Sequence, residues 1–382
     1  MASQTWDTIV VGGGVMGLST GYHLAKEGQR VLLLEQFKML HKNGSSHGQS
    51  RLLRKLHPSN QMHYVAMVND AENEWRRLEI KSGNLLYRNT GVLTVSLEPN
   101  IIHDVEKSIK QLNLAYEKLN QEELKKRFPM LALPPEAQGI VEKHAGVLFA
   151  ENALKTFYKL YKEHGGEIHE EEAVTSIIPG DVITVKTPNG TYRTSKLVLT
   201  AGVWNKKLLV PLGLQLPLQP HQISVCFWKE KIPGQFSIEN IPCIRFLGRT
   251  HAYSVPSFEH PGHFKMCSHR GIAVNGPGEP KPGSLELQYQ PIVDLIANHF
   301  PTLDNTPAIV EKCYYTLTPD GEFILDKVPG HPNIVVGAGF CGHGFKLSPI
   351  VGKILGCLVL GKPTGYPMRH FSISRFTRMA KI

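Results

Sequence analysis

Long apolar runs are missing from this chain. The nearest candidate, IVGKILGCLVLG at 350–361, carries Lys353 and falls short of the ~18 to 20 residues a bilayer crossing requires. It is read as a buried helix, and no membrane role is expected. A secretory leader is missing too: the opening MASQTWDTIVVGG has no basic stretch ahead of its apolar segment, which runs straight into glycines. An intracellular, soluble globular protein is expected. The six cysteines (226, 243, 267, 313, 341, 357) include no C-x-x-C pair, which argues against a disulfide framework or a zinc knuckle, and no metal is expected. No repeat of fixed period and no low-complexity segment occurs. Acidic residues are the scarcer charge, 33 against 42 basic ones, giving a net charge of +9 that suits nucleic acid, an anionic surface or anionic small molecules. The basic residues are dispersed, however, with only short clusters such as RLLRKLH and KSGN and no recognition module, so nucleic acid is not expected. At 382 residues, 41% of them hydrophobic, the chain is long enough for two domains.

What the sequence does have is concentrated first in residues 7–35, DTIVVGGGVMGLSTGYHLAKEGQRVLLLE. A β-branched strand, a glycine turn, an amphipathic helix and a second apolar strand ending in an acid make a βαβ unit. Gly12, Gly14 and Gly17 fit G-x-G-x-x-G in the context that makes this motif specific. Gly12 permits the tight turn, Gly14 lets backbone approach a pyrophosphate, and Gly17 lets helix and strand pack closely. The phosphates would meet the helix N-terminus at Val15 and Met16, where free N–H groups and the dipole favour an anion. Glu35 is placed to accept hydrogen bonds from an adenosine ribose with a free 2′-hydroxyl, and would repel a 2′-phosphate.

Two later segments, KLVLTAGVWN (196–205) and NIVVGAGFCGHGFKLSP (333–349), again run from an apolar strand into Ala-Gly and read as strands of the same sheet. The nucleotide domain is therefore discontinuous. Between these returns, TGVLTVS, HQISVCFW, AYSVPSF and PAIVEKCYYTLT alternate or are β-branched and are bounded by Pro and Gly, which predicts a second, largely antiparallel sheet. Three polar stretches stand out. NGSSHGQSRLLRKLH (43–57) holds Arg51 and Arg54 three apart, on one face if helical, behind a small-residue loop with Ser45, His47 and Ser50. HFKMCSHR (263–270) holds Lys265 and His269, whose even separation aims both at one face of a strand. GFCGHGFKLSP puts Lys346 at a helix start, where the dipole prefers anions, so an anionic ligand would account for it. Cys313, in a strand two residues before Tyr315, reads either as a buried small hydrophobe or as an anchor for a ligand.

In combination, the glycine fingerprint with Glu35, GSSHGQSR..R, TAGVWN, K...H at 265 and 269, KCYYTLTPD and GAGF.GHGFK resemble, in order and spacing, the monomeric sarcosine oxidases, with GSSHGQSR and FWKEKIPG closest to their peroxisomal sarcosine/L-pipecolate oxidase branch. The resemblance covers nearly the whole chain. It implies an α/β fold of D-amino-acid-oxidase-like, glutathione-reductase type: a Rossmann-like FAD-binding domain at 1–85, 145–215 and 318–375, and an α+β substrate domain at 86–144 and 216–317, with a tail at 376–382. It implies FAD, joined covalently to Cys313 by a thioether at the flavin 8α-methyl carbon. It further implies that Arg54 and Lys346 hold a substrate carboxylate, a planar fork beside a point charge. Arg51 and Lys265 would supply positive charge during oxygen reduction. His269 and Tyr253 would line the amine pocket and favour a neutral amine. Tyr315, His47, Gly342, His343 and Gly344 would be lining or supporting positions, with Ser45 and Ser50 near the cofactor; Ser50 replaces a threonine of the bacterial enzymes. Positions 241–252, IPCIRFLGRTHA, depart from the family's pattern, which bears on substrate choice if they line the pocket.

The implied activity is FAD-dependent oxidation of a secondary amino acid (sarcosine, L-pipecolate or L-proline) at its C–N bond, with oxygen as acceptor, giving an imine and hydrogen peroxide. The alternatives are an oxidase of bulkier N-substituted amino acids, such as fructosyl amino acids or N-methyltryptophan, and a catalytically silent flavin-binding protein. An NAD-dependent dehydrogenase would use the same glycine motif but leaves Cys313 and the GHGFK loop without a reason. A monomer is expected. The terminal Ala380-Lys381-Ile382 resembles the Ser-Lys-Leu peroxisomal address, which implies recognition by the peroxisomal import receptor and a peroxisomal location.

Overall fold

The computed structural model describes residues 5–56, 61–278 and 284–379, so the Ala380-Lys381-Ile382 address lies outside the described residues. Strand β1 (Trp6–Val11), helix α1 (Val15–Lys26) and strand β2 (Val31–Leu34) form the expected βαβ unit. β2 is apolar and buried throughout, as a parallel strand covered on both faces must be. β1 pairs in parallel with β2 on one side and with Thr191–Leu199 on the other. Glu167–His169 extends the parallel array beyond β2, and His331–Ala338 extends it beyond Thr191–Leu199. In register, Val11 lies level with Leu34 and Leu199, so the carboxyl ends of the strands open at one edge. Helices α1, Ala150–Glu163 and Ser348–Leu360 cover one face, packing Leu18, Phe157 and Leu355 against Val10 and Leu33. Ile9, Val11, Leu32 and Leu34 face the opposite core.

The second sheet is built from strands between Val92 and Leu317, antiparallel throughout except for one parallel pair, Cys243–Leu247 with Val92–Ser96. Its strands alternate, and the alternation separates two environments. Trp228, Phe264, Met266, Ile244 and Phe246 pack with Ile292 and Ile296 of helix Ser284–His299, each such side chain contributing about 1.5–3 kcal/mol by leaving water. Ile223, Val225, Phe227, Cys267 and Cys313 form a smaller cluster on the other face, which turns toward the open edge of the first sheet. Between the sheets, β3 (Ser50–Leu53) and Tyr87–Arg88 both pair with Gly146–Phe149. This corrects the conditional helical reading of Arg51 and Arg54: pairing with Gly146–Phe149 holds the backbone extended, and Arg54 follows just beyond the strand end.

Candidate active site at the meeting of two sheets

At the edge of the first sheet the chain turns through Gly12, whose φ of +102° suits glycine and where a Cβ would lie 2.7 Å from the Thr200 carbonyl oxygen. A Cβ on Gly17 would come to 1.8 Å from the Gly12 carbonyl oxygen, so helix and strand touch at a distance only glycine allows. Helix α1 starts at Gly14 with no side-chain cap; the Val15 N–H donates to Ser46 Oγ at 3.0 Å. Its N-terminus therefore faces the cavity with the positive end of its dipole. Glu35 accepts from the Gly13 N–H at 2.6 Å and the Phe37 N–H at 3.0 Å, with His41 Nε2 at 3.3 Å. The acid expected to meet a ribose thus also fixes the glycine turn.

From this turn the cavity runs along the small-residue loop. Arg51 is held there by its own neighbours: its guanidinium donates to the carbonyls of Ser50 at 2.7 Å, Ser45 at 2.9 Å and His47 at 2.6 Å, and lies 5.1 Å over the Phe345 ring. His47 bridges two segments, with Nδ1 2.9 Å from the Gly44 carbonyl and Nε2 2.7 Å from the Lys312 carbonyl. Burial, then the Arg51 charge, lowers its pKa, and a neutral ring donates to one of these oxygens. The next residue, Cys313, is 7% exposed and lines the cavity. Lys265, on strand His263–Ser268, is 5% exposed and pairs with Glu259 at 2.8 Å while donating to Ser50 Oγ at 3.1 Å. Ser50 Oγ also donates to Glu259. Burial opposes the Glu259 charge, but Lys265 and these hydrogen bonds outweigh it and hold the carboxyl below its usual value.

The far end is cationic. Lys346, on the turn Phe345–Leu347 before helix Ser348–Leu360, is 3% exposed and donates to the Arg54 carbonyl at 3.0 Å; its own carbonyl accepts from Trp75 Nε1 at 2.9 Å. Arg54 is tied to the Leu56 carbonyl. Burial, then the neighbouring Arg54, pulls the Lys346 ammonium well below the ordinary lysine value. His269 lies just past its strand, with its ring 5.2 Å from Tyr253 and 5.9 Å from Tyr315. Enclosure, then the Arg54 and Arg245 charges, pushes its pKa down to about 3, so it is neutral at physiological pH. Burial raises both tyrosines, which stay protonated. Glu142 is buried, accepts from the Lys55 N–H at 2.5 Å, and feels the positive charge of Arg54, Lys346 and Arg245.

Of the site residues expected from sequence, all but Gly17 line this one cavity, and Gly17 sits behind the turn that shapes it. Three charged residues were missed: Glu259, Glu142 and Arg245. Glu259 precedes Lys265 across a Pro-Gly turn between two β runs, the signal that would have paired them. The glycine cradle, the helix start and a cavity lined from Gly12 and Glu35 through Ser45 and Cys313 to Lys346 fit a dinucleotide. The family model described as FAD dependent oxidoreductase (DAO) matches residues 7–358. The chain is 42% identical to the peroxisomal sarcosine oxidase of Mus musculus, covering 100% of this chain and 99% of that one. It is 32% identical to the monomeric sarcosine oxidase of Bacillus sp. (strain B-0618), covering 98% and 97%. An open form of the amino acid oxidase essential for nikkomycin biosynthesis superposes with a TM-score of 0.86 over 97% and 98% of the two chains; at 24% identity this speaks for the fold alone.

Proposed function

The chain belongs to the family of FAD-dependent oxidoreductases, and from that premise we propose that it oxidises small N-substituted amino acids at the C–N bond, sarcosine, L-pipecolate and L-proline being the simplest candidates. The observation that carries this reading is the arrangement of one cavity, with the glycine turn and Glu35 at one end and Arg54 and Lys346 at the other. Gly12, Gly14, Val15, Met16 and Glu35 would hold the nucleotide half of FAD. Ser45, His47, Ser50, Arg51, Gly342, His343 and Gly344 would flank its ring. Bound there, FAD would supply the two-electron acceptor for the amine and the donor to oxygen, for an overall yield of an imine and hydrogen peroxide.

The chain's own residues supply the rest. Arg54 and Lys346 grip the carboxylate, a charge that favours the protonated form of both enclosed cations. This grip orients the nitrogen-bearing carbon. His269, neutral at working pH, does not repel or protonate the amine, and only a neutral amine has the lone pair that expels hydrogen from carbon. Tyr253 and Tyr315 keep their protons and can donate hydrogen bonds at the same wall. Lys265 and Arg51 stabilise the negative charge that builds as oxygen is reduced, with Glu259 holding the Lys265 ammonium in place.

Cys313 is proposed as the covalent flavin anchor, supported by its position in the cavity wall beside the Arg51 loop: its Sγ lies 3.9 Å from the Ser45 carbonyl. A monomer in the peroxisome is proposed from the names of the relatives. The terminal Ala380-Lys381-Ile382 would be read by the import receptor, and a reporter carrying the last dozen residues that stayed diffuse in the cytosol would remove that address. The activity is tested by peroxide release from the purified protein over a panel of sarcosine, L-pipecolate, L-proline and a bulky fructosyl amino acid. A small secondary amino acid is expected to lead; preference for the fructosyl compound would reassign the substrate. Acid precipitation tests the linkage, a yellow pellet being expected and a colourless pellet over a yellow supernatant excluding it.

A further inference from the structure

The proposed site leaves one buried cation without a task. Arg245 lies mid-strand in Cys243–Leu247, is 9% exposed, and among the described residues its guanidinium makes no hydrogen bond or ion pair. Strand register fixes where it points. Arg245 is directly opposite Tyr253, and Tyr253 is opposite Cys267; residues paired across strands project from the same face. Tyr253 lines the cavity, whereas Ile244 and Phe246 on either side of Arg245 enter the core behind the sheet. Arg245 therefore projects on the cavity side, close enough for its charge to act on Lys346, His269 and His251.

Glu142 is the carboxylate whose field reaches Arg54, Lys346 and Arg245 alike, but burial raises its pKa and its hydrogen bond goes to the Lys55 backbone, not to Arg245. A single substrate carboxylate gripped by Arg54 and Lys346 would leave the Arg245 guanidinium without an anion in hydrogen-bond contact. A buried guanidinium with no partner is costly, and a ligand anion would remove that cost. Resting on the oxidase reading above, we infer that Arg245 is a second anion-recognition point and that the preferred substrates are N-substituted amino acids bearing a second carboxylate, either on the nitrogen substituent or on the Cα side chain.

The flavin-loaded protein tests this with matched probes: sarcosine; iminodiacetate, which carries the second carboxylate on the nitrogen substituent; and N-methyl-L-aspartate, which carries it on the side chain. One of the two dicarboxylates is expected to exceed sarcosine at least tenfold in kcat/KM, mainly through KM, and which one does so locates the second carboxylate. Arg245→Leu should erase that preference by raising the dicarboxylate KM tenfold or more, and Arg245→Lys should retain part of it. Independently of turnover, malonate or succinate should perturb flavin absorbance at concentrations at least tenfold below those of acetate, and Arg245→Leu should abolish the difference. If Arg245→Leu does not fold, the wild-type comparison and Arg245→Lys decide. Turnover of sarcosine with no dicarboxylate advantage in either readout overturns the Arg245 assignment alone. Turnover of none of the three overturns the oxidase reading and the assignment with it.

Discussion

The two ends of the cavity each suit an anion, by opposite means. At the nucleotide end the groups are backbone N–H donors at a helix start, shaped by Gly12 and Gly17, and the nearby acid, Glu35, accepts from the turn's Gly13 amide and from the Phe37 amide that follows its own strand. At the other end the groups are side chains, Arg54 and Lys346, brought together from separate segments, with Arg245 near enough for its charge to act on both. The backbone site is fixed by sterics and changes only with the fold. The side-chain site stores electrostatic free energy that a ligand can release, so a single substitution can retune it.

Substitutions at the two ends should therefore fail differently. Gly17→Ala drives a Cβ into the Gly12 carbonyl, and the protein is expected to purify without colour, or not to accumulate, with a melting temperature lower on the order of 10 °C. A yellow, fully active Gly17→Ala protein would erase the contrast. Arg54→Met or Lys346→Met should instead remain yellow while kcat/KM falls roughly 100- to 1,000-fold, as expected when one partner of an enclosed charge contact is truncated; loss of flavin in these variants would mean that the ends are not separable. Between them, Glu259→Gln should destabilise the protein near pH 7 by about 3–5 kcal/mol by leaving Lys265 unpaired. Because the Glu259 carboxyl is held below its unfolded value, its contribution is present above the ordinary carboxyl range and is lost as pH falls through the lowered value. The wild-type and variant urea midpoints should accordingly converge in acid. The smallest effect is on pH dependence. Since Lys346 is pulled below the ordinary lysine value and its protonated form binds anions, the Kd of acetate should rise as pH climbs through that lowered value, by no more than about tenfold per unit. Lys346→Met should flatten the curve, and a flat wild-type curve would remove Lys346 from the grip.

The same contrast explains what was legible in the sequence. Gly12, Gly14, Gly17 and Glu35 fall within one contiguous βαβ unit, so local pattern sufficed. Lys346 drew attention because a cation at a helix start defies the dipole, and its contact with the Arg54 carbonyl supplies part of the reason. Arg51 and Arg54 both line the cavity, but the helix on which they would have shared a face does not form, because Ser50–Leu53 pairs with Gly146–Phe149, almost a hundred residues on. Glu259 looks like a turn acid until Lys265 folds back onto it. Arg245 left one faint trace, a lone charge in the apolar strand CIRFL; which face it takes is decided by Tyr253 and Cys267 on neighbouring strands.

The most direct test of the central claim, that one cavity holds a flavin beside a cationic grip for a small amino acid, is anaerobic mixing of the purified protein with sarcosine, L-pipecolate and L-proline while the visible spectrum is followed. The yellow absorbance is expected to bleach with at least one of them and to return on admitting air, with one hydrogen peroxide formed per turnover. A protein that carries no flavin, or whose spectrum is unchanged by every N-substituted amino acid, would contradict it.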